Sequence, residues 1–511
     1  MVIKHILKKE TYFDSVTLML INNEIKKMDG VTNSVVGMGT DYNIESLKRL
    51  NLFVIDLHSA TPNDLIICVE AINDDSARKS IEKAEELLIE KKKRVHESSD
   101  YVPASQESAS KFLPGANIVI ISVPGQYAKR EAKIALEAGR HVMLFSDNVT
   151  IDEELELKEL AITKGLLVMG PDCGTAIING VPLAFANSVR RGDIGIVAAS
   201  GTGLQEVSCI IHKLGCGISQ AIGVGGRDLK EKIQGRMTIQ AVTALASDPR
   251  TKVIIIISKP PEETTYLKLL GTLKFINKPI VIYFIGADPG IIKQHGFIAA
   301  SNLEDTAIKA CELSLNKTFQ PLLSDSKLEN LLKASNYPAL QTTYLRGLYS
   351  GGTLCDEAQR LLLADLKEIY SNTPVPGCKN LANVYQSEKH TIIDLGDDEF
   401  TRGRAHPMID PEYRKERIIT ESRDEKVGMI IFDVVLGYGS HPDMASEMIT
   451  AIKQAKKSAK TQIIFACNIC GTDEDIQDYN KQKQILESEN VFVFSSHLSL
   501  IKFVKQILLK K

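Results

Sequence analysis

The feature that most constrains this chain is a set of glycine-rich turns at the ends of apolar strands. Leu166-Leu167-Val168-Met169 runs into Gly170-Pro171-Asp172-Cys173-Gly174-Thr175. Ile194-Gly195-Ile196-Val197-Ala198-Ala199 runs into Ser200-Gly201-Thr202-Gly203, and Gly223-Val224-Gly225-Gly226-Arg227-Asp228 follows. Short apolar strands alternating with helices imply a parallel, doubly wound sheet, since both faces of such strands are buried. Ligands of these sheets bind outside the carboxyl ends of the strands. Glycines there expose backbone N–H groups, and the helix start behind them adds partial positive charge. Several such turns side by side suggest a site for phosphate or another small oxyanion.

The chain has 511 residues, enough for three or more domains at about 150 residues each. Residues 1–95 alternate strands (2–7, 34–36, 64–69) with helices and read as a small α/β sandwich. Its charged helix over 76–94 carries an apolar stripe at Ala77, Ile81, Ala84 and Leu88. Residues 95–110 are polar and rich in Ser and Glu, and read as a linker. Residues 111–190 form a βαβ series with strands at 117–122, 141–145 and 166–169. In it Gly139 stops one helix, and Thr150 with Glu153 makes a capping box for the next.

A second series, 191–320, has strands at 194–198, 218–222, 253–257 and 279–285. Its helix after Gly203 buries Leu204, Val207, Ile211 and Leu214 at helical spacing. Residues 319–340 read as a connector. The last domain, 341–511, repeats the style. Arg346-Gly347-Leu348-Tyr349 enters Ser350-Gly351-Gly352-Thr353, a helix runs to about Leu366, and strands follow at 391–395, 427–435, 462–467 and 491–494. The recurring strand–glycine–helix pattern suggests that the two large domains are distant copies of one architecture.

The net charge of -3 argues against a dedicated nucleic-acid binder, which shows a basic face. No apolar run approaches the roughly 20 residues that span a bilayer. Nine scattered cysteines and an amino terminus without a signal-peptide pattern point to reduced thiols in a cytoplasmic protein.

GPDCGT at residues 170–175, ASGTGLQE at 199–206 and IGVGGRDL at 222–229 resemble the α subunit of succinyl-CoA synthetase. LYSGGTLCDEA at 348–358 and IIDLGDDEFTRGRAHPMIDP at 392–411 resemble the narrower FdrA family. That likeness runs over essentially the whole chain, including ATPND at 60–64 and MLFSDNVT at 143–150. It implies an α/β multidomain protein: a Rossmann-like, CoA-binding-type domain over 111–190, a flavodoxin-like synthetase domain over 191–320 and a ligase-like domain over 341–511. It also implies a subunit of an oxamate carbamoyltransferase, which phosphorolyses oxalurate to oxamate and carbamoyl phosphate in anaerobic allantoin breakdown. Other subunits would then be its partners, and phosphate a substrate. CoA binding is implied by the fold resemblance alone.

Two chemistries compete, with a non-catalytic ligand-binding scaffold as a third reading. An acyl-CoA synthetase of this kind needs a CoA pocket, a phosphate-carrying histidine and an ATP-grasp domain. In the family that histidine sits in a Gly-His-Ala-Gly loop, which here reads Gly286-Ala287-Asp288-Pro289 with His295 further on; His295 reads as a surface histidine. No stretch remains for an ATP-grasp domain. Carbamoyl transfer needs only donors that hold phosphate, stabilise charge on the carbonyl oxygen and clamp a carboxylate.

Ser200, Gly201, Thr202 and Gly203 are the first candidates for the anion site; a bare strand-to-helix turn is the alternative. Gly170, Asp172, Cys173 and Gly174 come next, with Asp172 as a turn cap and Cys173 as a small buried thiol in the bland reading. Arg227, beside Gly225 and Gly226, is a candidate oxyanion clamp, or else a salt-bridge partner. Lys259, at a strand end, is a weaker candidate of the same type. Gly351, Gly352 and Thr353 form the second cluster with Arg402, Arg404 and His406. There His406 can donate a proton to the leaving nitrogen, or the loop simply pairs with Asp394, Asp397 and Asp398. Those acids can also attract Mg²⁺, but no ligand spacing identifies a metal, and none is expected. Cys467-Asn468-Ile469-Cys470 reads as structural.

Overall fold

The structure, a computed structural model, describes residues 1–97, 103–334, 344–402 and 404–509. They group into two compact units. One is Met1–Phe112 with Gly396–Asp410; the other is Leu113–Leu395 with Pro411–Lys511. The chain is α/β with parallel sheets, the class its strand–helix alternation implies.

In the first unit, strand Leu65–Ala71 lies between Val2–Lys8 and Val31–Met38, antiparallel to both. Alternation along these strands serves two apolar layers. Ile67 and Val69 pack with Leu18, Ile21 and Ile25 of helix Ser15–Lys26 and with Ile81, Ala84 and Leu88 of helix Asp74–Glu97. On the other face Ile66 and Cys68 meet Leu47, Leu52 and Leu57. The linker expected at 95–110 is shorter than its composition suggests. Helix Asp74–Glu97 runs into it, and Gln106–Phe112 is a helix behind the mutually bonded Ser105 and Ser108. Residues 98–102 of that stretch lie outside the described ones.

The second unit holds three sheets. Strands Ile118–Ile121, His141–Leu144 and Val168–Met169 form a small parallel sheet in that order. The capping box at Thr150 and Glu153 opens helix Ile151–Thr163 as expected. The next sheet places its parallel strands in the order Ile218–Gly223, Arg191–Ala199, Val253–Ser258, Ile280–Phe284, Ile298–Ala299. That is the flavodoxin-like order 2-1-3-4-5. A hairpin, Thr175–Ile178 and Val181–Ala184, turning at Gly180, extends this sheet antiparallel beyond strand 2.

The third sheet repeats the order with Ile369–Ser371, Tyr344–Tyr349, Val427–Val435, Ile464–Cys470 and Phe492–Phe494, but inserts His390–Asp394 between its first two strands. It ends in the short strand Lys379–Asn380. The two seven-stranded halves share one apolar core, in which Ile196 and Ile255 of one half join Leu345 and Ile431 of the other.

The halves also exchange caps. Glu206, six residues after Ser200, accepts the His497 N–H that opens helix His497–Leu509 at 2.7 Å. Glu357, at the matching position of the other half, accepts the Leu303 N–H that opens helix Leu303–Leu315 at 2.8 Å. Each half therefore supplies the carboxylate that satisfies the final helix of its twin. The stretch 319–340, expected as a plain connector, contains helix Asp325–Ala334 with Leu328 buried. Its remainder, 335–340, lies outside the described residues. Among the described residues, no helix is long and apolar enough to cross a membrane.

Candidate functional site

The first strand of each half ends in a serine–glycine turn that starts a helix. Ser200 is the N-cap of helix Gly201–Lys213; its Oγ accepts the Gly203 N–H at 3.1 Å. The twin helix, Gly352–Leu366, begins at Gly351 and has no side-chain cap. Its first-turn amides are the unsatisfied donors that attract anions.

The two helix starts meet. Ser200 Oγ and Thr353 Oγ1 are 2.7 Å apart. A Cβ on Gly351 would lie 2.8 Å from Thr202 Cγ2, and one on Gly203 would lie 3.1 Å from Thr353 Cγ2. Glycine is what allows this approach. Behind the second turn, Asp433 accepts from Ser350 N–H and Oγ and from Gly351 N–H at 2.8–2.9 Å, and the buried Arg414 neutralises it.

Lys259 follows strand Val253–Ser258, beside the Ser200 turn, where the strand order reverses. That crevice is the usual ligand position of such sheets. The ammonium lies against the other half's helix start: a Cβ on Gly352 would be 2.9 Å from Lys259 Nζ, with Asp394 Oδ2 on the same side. Burial alone would lower the proton affinity of Lys259, but Asp356, Asp394 and Asp172 outweigh it and hold the ammonium charged. Asp394 is fixed by Asn372, whose side chain pairs with its backbone N–H and C=O, both at 2.9 Å. Asp356 is the fifth residue of helix Gly352–Leu366 and 5% exposed. Burial pushes its carboxyl up to about 6, against the pull of Lys259.

The Gly170 turn joins the same rim. Gly225, at φ +84°, packs where a Cβ would be 2.5 Å from Pro171 O, so the 170–175 and 223–226 turns touch backbone to backbone. Thr175 Oγ1 lies 3.6 Å from the Cβ position of Gly201 and donates to Phe185 O. Asp172, also at positive φ, is exposed and adds to the field on Lys259. Gly170, Asp172, Gly174, Ser200, Gly201, Thr202, Gly203, Gly225, Gly351, Gly352 and Thr353 thus belong to one neighbourhood.

Arg227 donates from Nε to Glu154 Oε2 at 2.9 Å and from Nη2 to Val149 O at 2.8 Å. Glu154 is shared with Lys158, which also pairs with Asp228 in a fully buried cluster. Gly226 borders open space. The Cys173 thiol faces Thr175 O and Gly223 O, and burial pushes it up to about 12, which keeps it neutral. Arg404 and His406 lie in Gly396–Asp410, within the first unit. There His406 Nδ1 accepts the Met408 N–H, and Asp397 caps the turn Asp398–Thr401. Gly403 lies outside the described residues. His295 ends the short helix Pro289–Gln294, its ring bonded to Ile291 O. Cys467 and Cys470 sit three apart on one strand and point to opposite faces.

Sequence reasoning passed over Asp356 and Asn372 and ranked Lys259 below Arg227. The available signal was the acidic pair Asp356-Glu357 in the otherwise apolar opening of a helix.

A family model described as CoA-ligase matches residues 348–507, and one described as AllF, heavy metal-associated domain, matches residues 1–103. The chain is 42% identical over 507 residues to YahF of Escherichia coli (strain K12), covering 97% of this chain and 96% of that protein. It is 27% identical over 178 residues to the ADP-forming sulfoacetate-CoA ligase subunit SqwL of Acholeplasma sp, covering 33% of this chain and 58% of that subunit. It is 29% identical over 194 residues to the ADP-forming succinate–CoA ligase subunit alpha of Aquifex aeolicus (strain VF5), covering 34% and 59% respectively. The chain thus spans less than two thirds of each of these two ligase subunits.

The description of the first domain implies a metal, and the donors among its described residues do not fit one. Heavy metals favour thiolate and imidazole. The cysteine of this domain, Cys68, is fully buried, donates to Leu52 O, and is pushed up to about 12 by burial and Glu70. Among the described residues no group of three or more His, Cys, Asp or Glu is placed to hold an ion.

Proposed function

The chain belongs to the family of Escherichia coli YahF, and from that premise we propose that it is an FdrA-type subunit of an oxamate-carbamoyltransferase-like assembly. In this reading inorganic phosphate attacks the ureido carbonyl of oxalurate, giving carbamoyl phosphate and oxamate. The observation that carries it is the meeting of two helix starts at Ser200 and Thr353 with Lys259 beside them. Phosphate sits on the amides of Gly352, Thr353 and Leu354, opposite Ser200, Gly201, Thr202 and Gly203. Lys259 offsets the charge that grows as phosphate and the carbonyl oxygen approach. No covalent phosphate carrier is needed, and His295 is bonded to its own helix. The allantoin-related AllF domain over 1–103 accords with this chemistry.

We assign residues 1–95, 111–190, 191–320 and 341–511 as the working domains and the remaining subunits as partners. The ligase relatives are themselves named as subunits. Nine unpaired thiols suit a cytoplasmic protein. The decisive assay mixes the chain and its partner subunits with oxalurate and phosphate, without ATP or CoA, and follows carbamoyl phosphate.

A second reading, an acyl-CoA ligase subunit with a partner that activates nucleotide, is favoured by the CoA-ligase match. CoA would then lie at the start of helix Gly125–Glu137, which has no side-chain cap and has Val123 and Tyr127 exposed beside it. ATP-dependent loss of CoA thiol would identify that reaction.

A further inference from the structure

We propose that the Asp356 carboxyl is the proton-transfer group of this site, giving its proton to the departing amide nitrogen and recovering one from the incoming phosphate. The proposal rests on the carbamoyl-transfer reading. The chemistry requires such a group. When a phosphate oxygen bonds to the ureido carbon, the C–N bond to the oxamate half breaks, and an amide anion is too basic to leave unprotonated. Hydrogen phosphate meanwhile carries a proton that the product carbamoyl phosphate does not keep. A carboxyl that loses its O–H to the nitrogen and regains one from phosphate balances the reaction, and no other reactant is required.

Asp356 has the position for this work. It lies one turn into helix Gly352–Leu366, whose uncapped start forms the anion site, and it is 95% buried. No hydrogen bond holds its carboxyl among the described residues. Lys259 after strand Val253–Ser258 and Tyr283 of strand Ile280–Phe284 face it from other elements, while Asp394 at the end of strand His390–Asp394 and Asp172 in the Gly170 turn act on the same Lys259. Cys355 is the neighbour on its own helix.

The alternatives are poor proton carriers at neutral pH. The acids keep Lys259 charged, burial lifts Cys355 well above its ordinary value, and burial with Glu357 lifts Tyr283 likewise. Asp356 alone of these is brought toward neutrality, to about 6.

The test compares the wild-type complex with Asp356→Asn and Asp356→Glu. The Asn variant is expected to lower kcat about 100-fold, leave the KM for phosphate within about 3-fold, and erase the limb of the pH–rate profile that Asp356 produces. The Glu variant restores a tenth or more of the rate and the pH limb. An Asn variant with an unchanged pH profile overturns the proposal. Infrared spectra of the chain alone supply a readout without turnover. Adding inorganic phosphate at pH 7 should strengthen a protonated-carboxyl band that Asp356→Asn lacks, because a bound anion raises the carboxyl's proton affinity. No phosphate response in that band also overturns the proposal. A wild-type complex that makes no carbamoyl phosphate overturns the parent reading and the amide as proton acceptor, while the band still decides whether Asp356 answers to the anion.

Discussion

Thr353 governs how closely the two glycine turns approach, because its hydroxyl meets Ser200 Oγ at 2.7 Å while Ser200 also caps its own helix. Ser200→Ala is expected to cost about 1 kcal/mol, the usual worth of a serine cap. A denaturant double-mutant cycle with Thr353→Val should show coupling of about 0.5–1.5 kcal/mol. Asp356 gives a second residue-scale prediction, with a definite sign. Its folded pKa, about 6, lies above its ordinary 3.8, so the native state holds the proton more tightly than the unfolded chain. The associated stability is complete below about pH 4 and is lost as pH rises through 6. Asp356→Asn, which mimics the protonated form, should therefore match wild type near pH 4 and exceed it by up to about 3 kcal/mol at pH 8. Equal stabilities at pH 8 would refute the assignment. The contrast between Arg227 and Lys259 shows where sequence stops. Both follow strand ends, but only the fold reveals that Arg227 pairs with Glu154 while Lys259 reaches across to the other half's helix start.

At the scale of elements, strand 427–435 was legible because every residue in it is buried and the run is apolar but for Asp433, which Arg414 neutralises. The turns at 200–203 and 350–353 were legible because the glycines that let two helix starts touch are visible as letters. Hairpin Thr175–Ile178 and Val181–Ala184 was missed. Its strands are four residues each, too short for a periodic signal, and its turn resembles any loop. Helix Asp325–Ala334 was missed because its polar surface outweighs the few apolar residues it buries.

Two glycines offer a paired experiment. Gly351→Ala puts a methyl group 2.8 Å from Thr202 Cγ2 and should cost about 1–3 kcal/mol and weaken phosphate binding. Gly226→Ala meets nothing within 4 Å and should stay within about 0.5 kcal/mol of wild type. Calorimetric titration with phosphate and a denaturation curve read both.

Across the whole molecule, two flavodoxin-like halves hold each other by exchanged caps. Glu357 serves Leu303 N–H, Tyr283 and the ring of His497, which in turn contacts Tyr349. Glu357→Ala leaves those buried partners without an acceptor and is expected to cost about 2–4 kcal/mol. Because Ile196 and Leu345 share one core, the loss should appear as a shift of a single transition rather than as two. The duplication itself was visible as a repeated pattern. The exchanged caps were not, since Glu206 and His497 are 291 positions apart.

The claim beneath all of this is that main-chain amides and Lys259, rather than a phosphorylated histidine, carry the anionic reactant. The most direct measurement is carbamoyl phosphate formation from oxalurate and inorganic phosphate by the full complex, with wild-type chain and with Lys259→Gln, in the absence of ATP and CoA. The account predicts product with the wild type and a loss of at least about 100-fold in kcat/KM with the variant. Product that appears only when ATP and CoA are supplied, with covalent phosphate on His295, would contradict it.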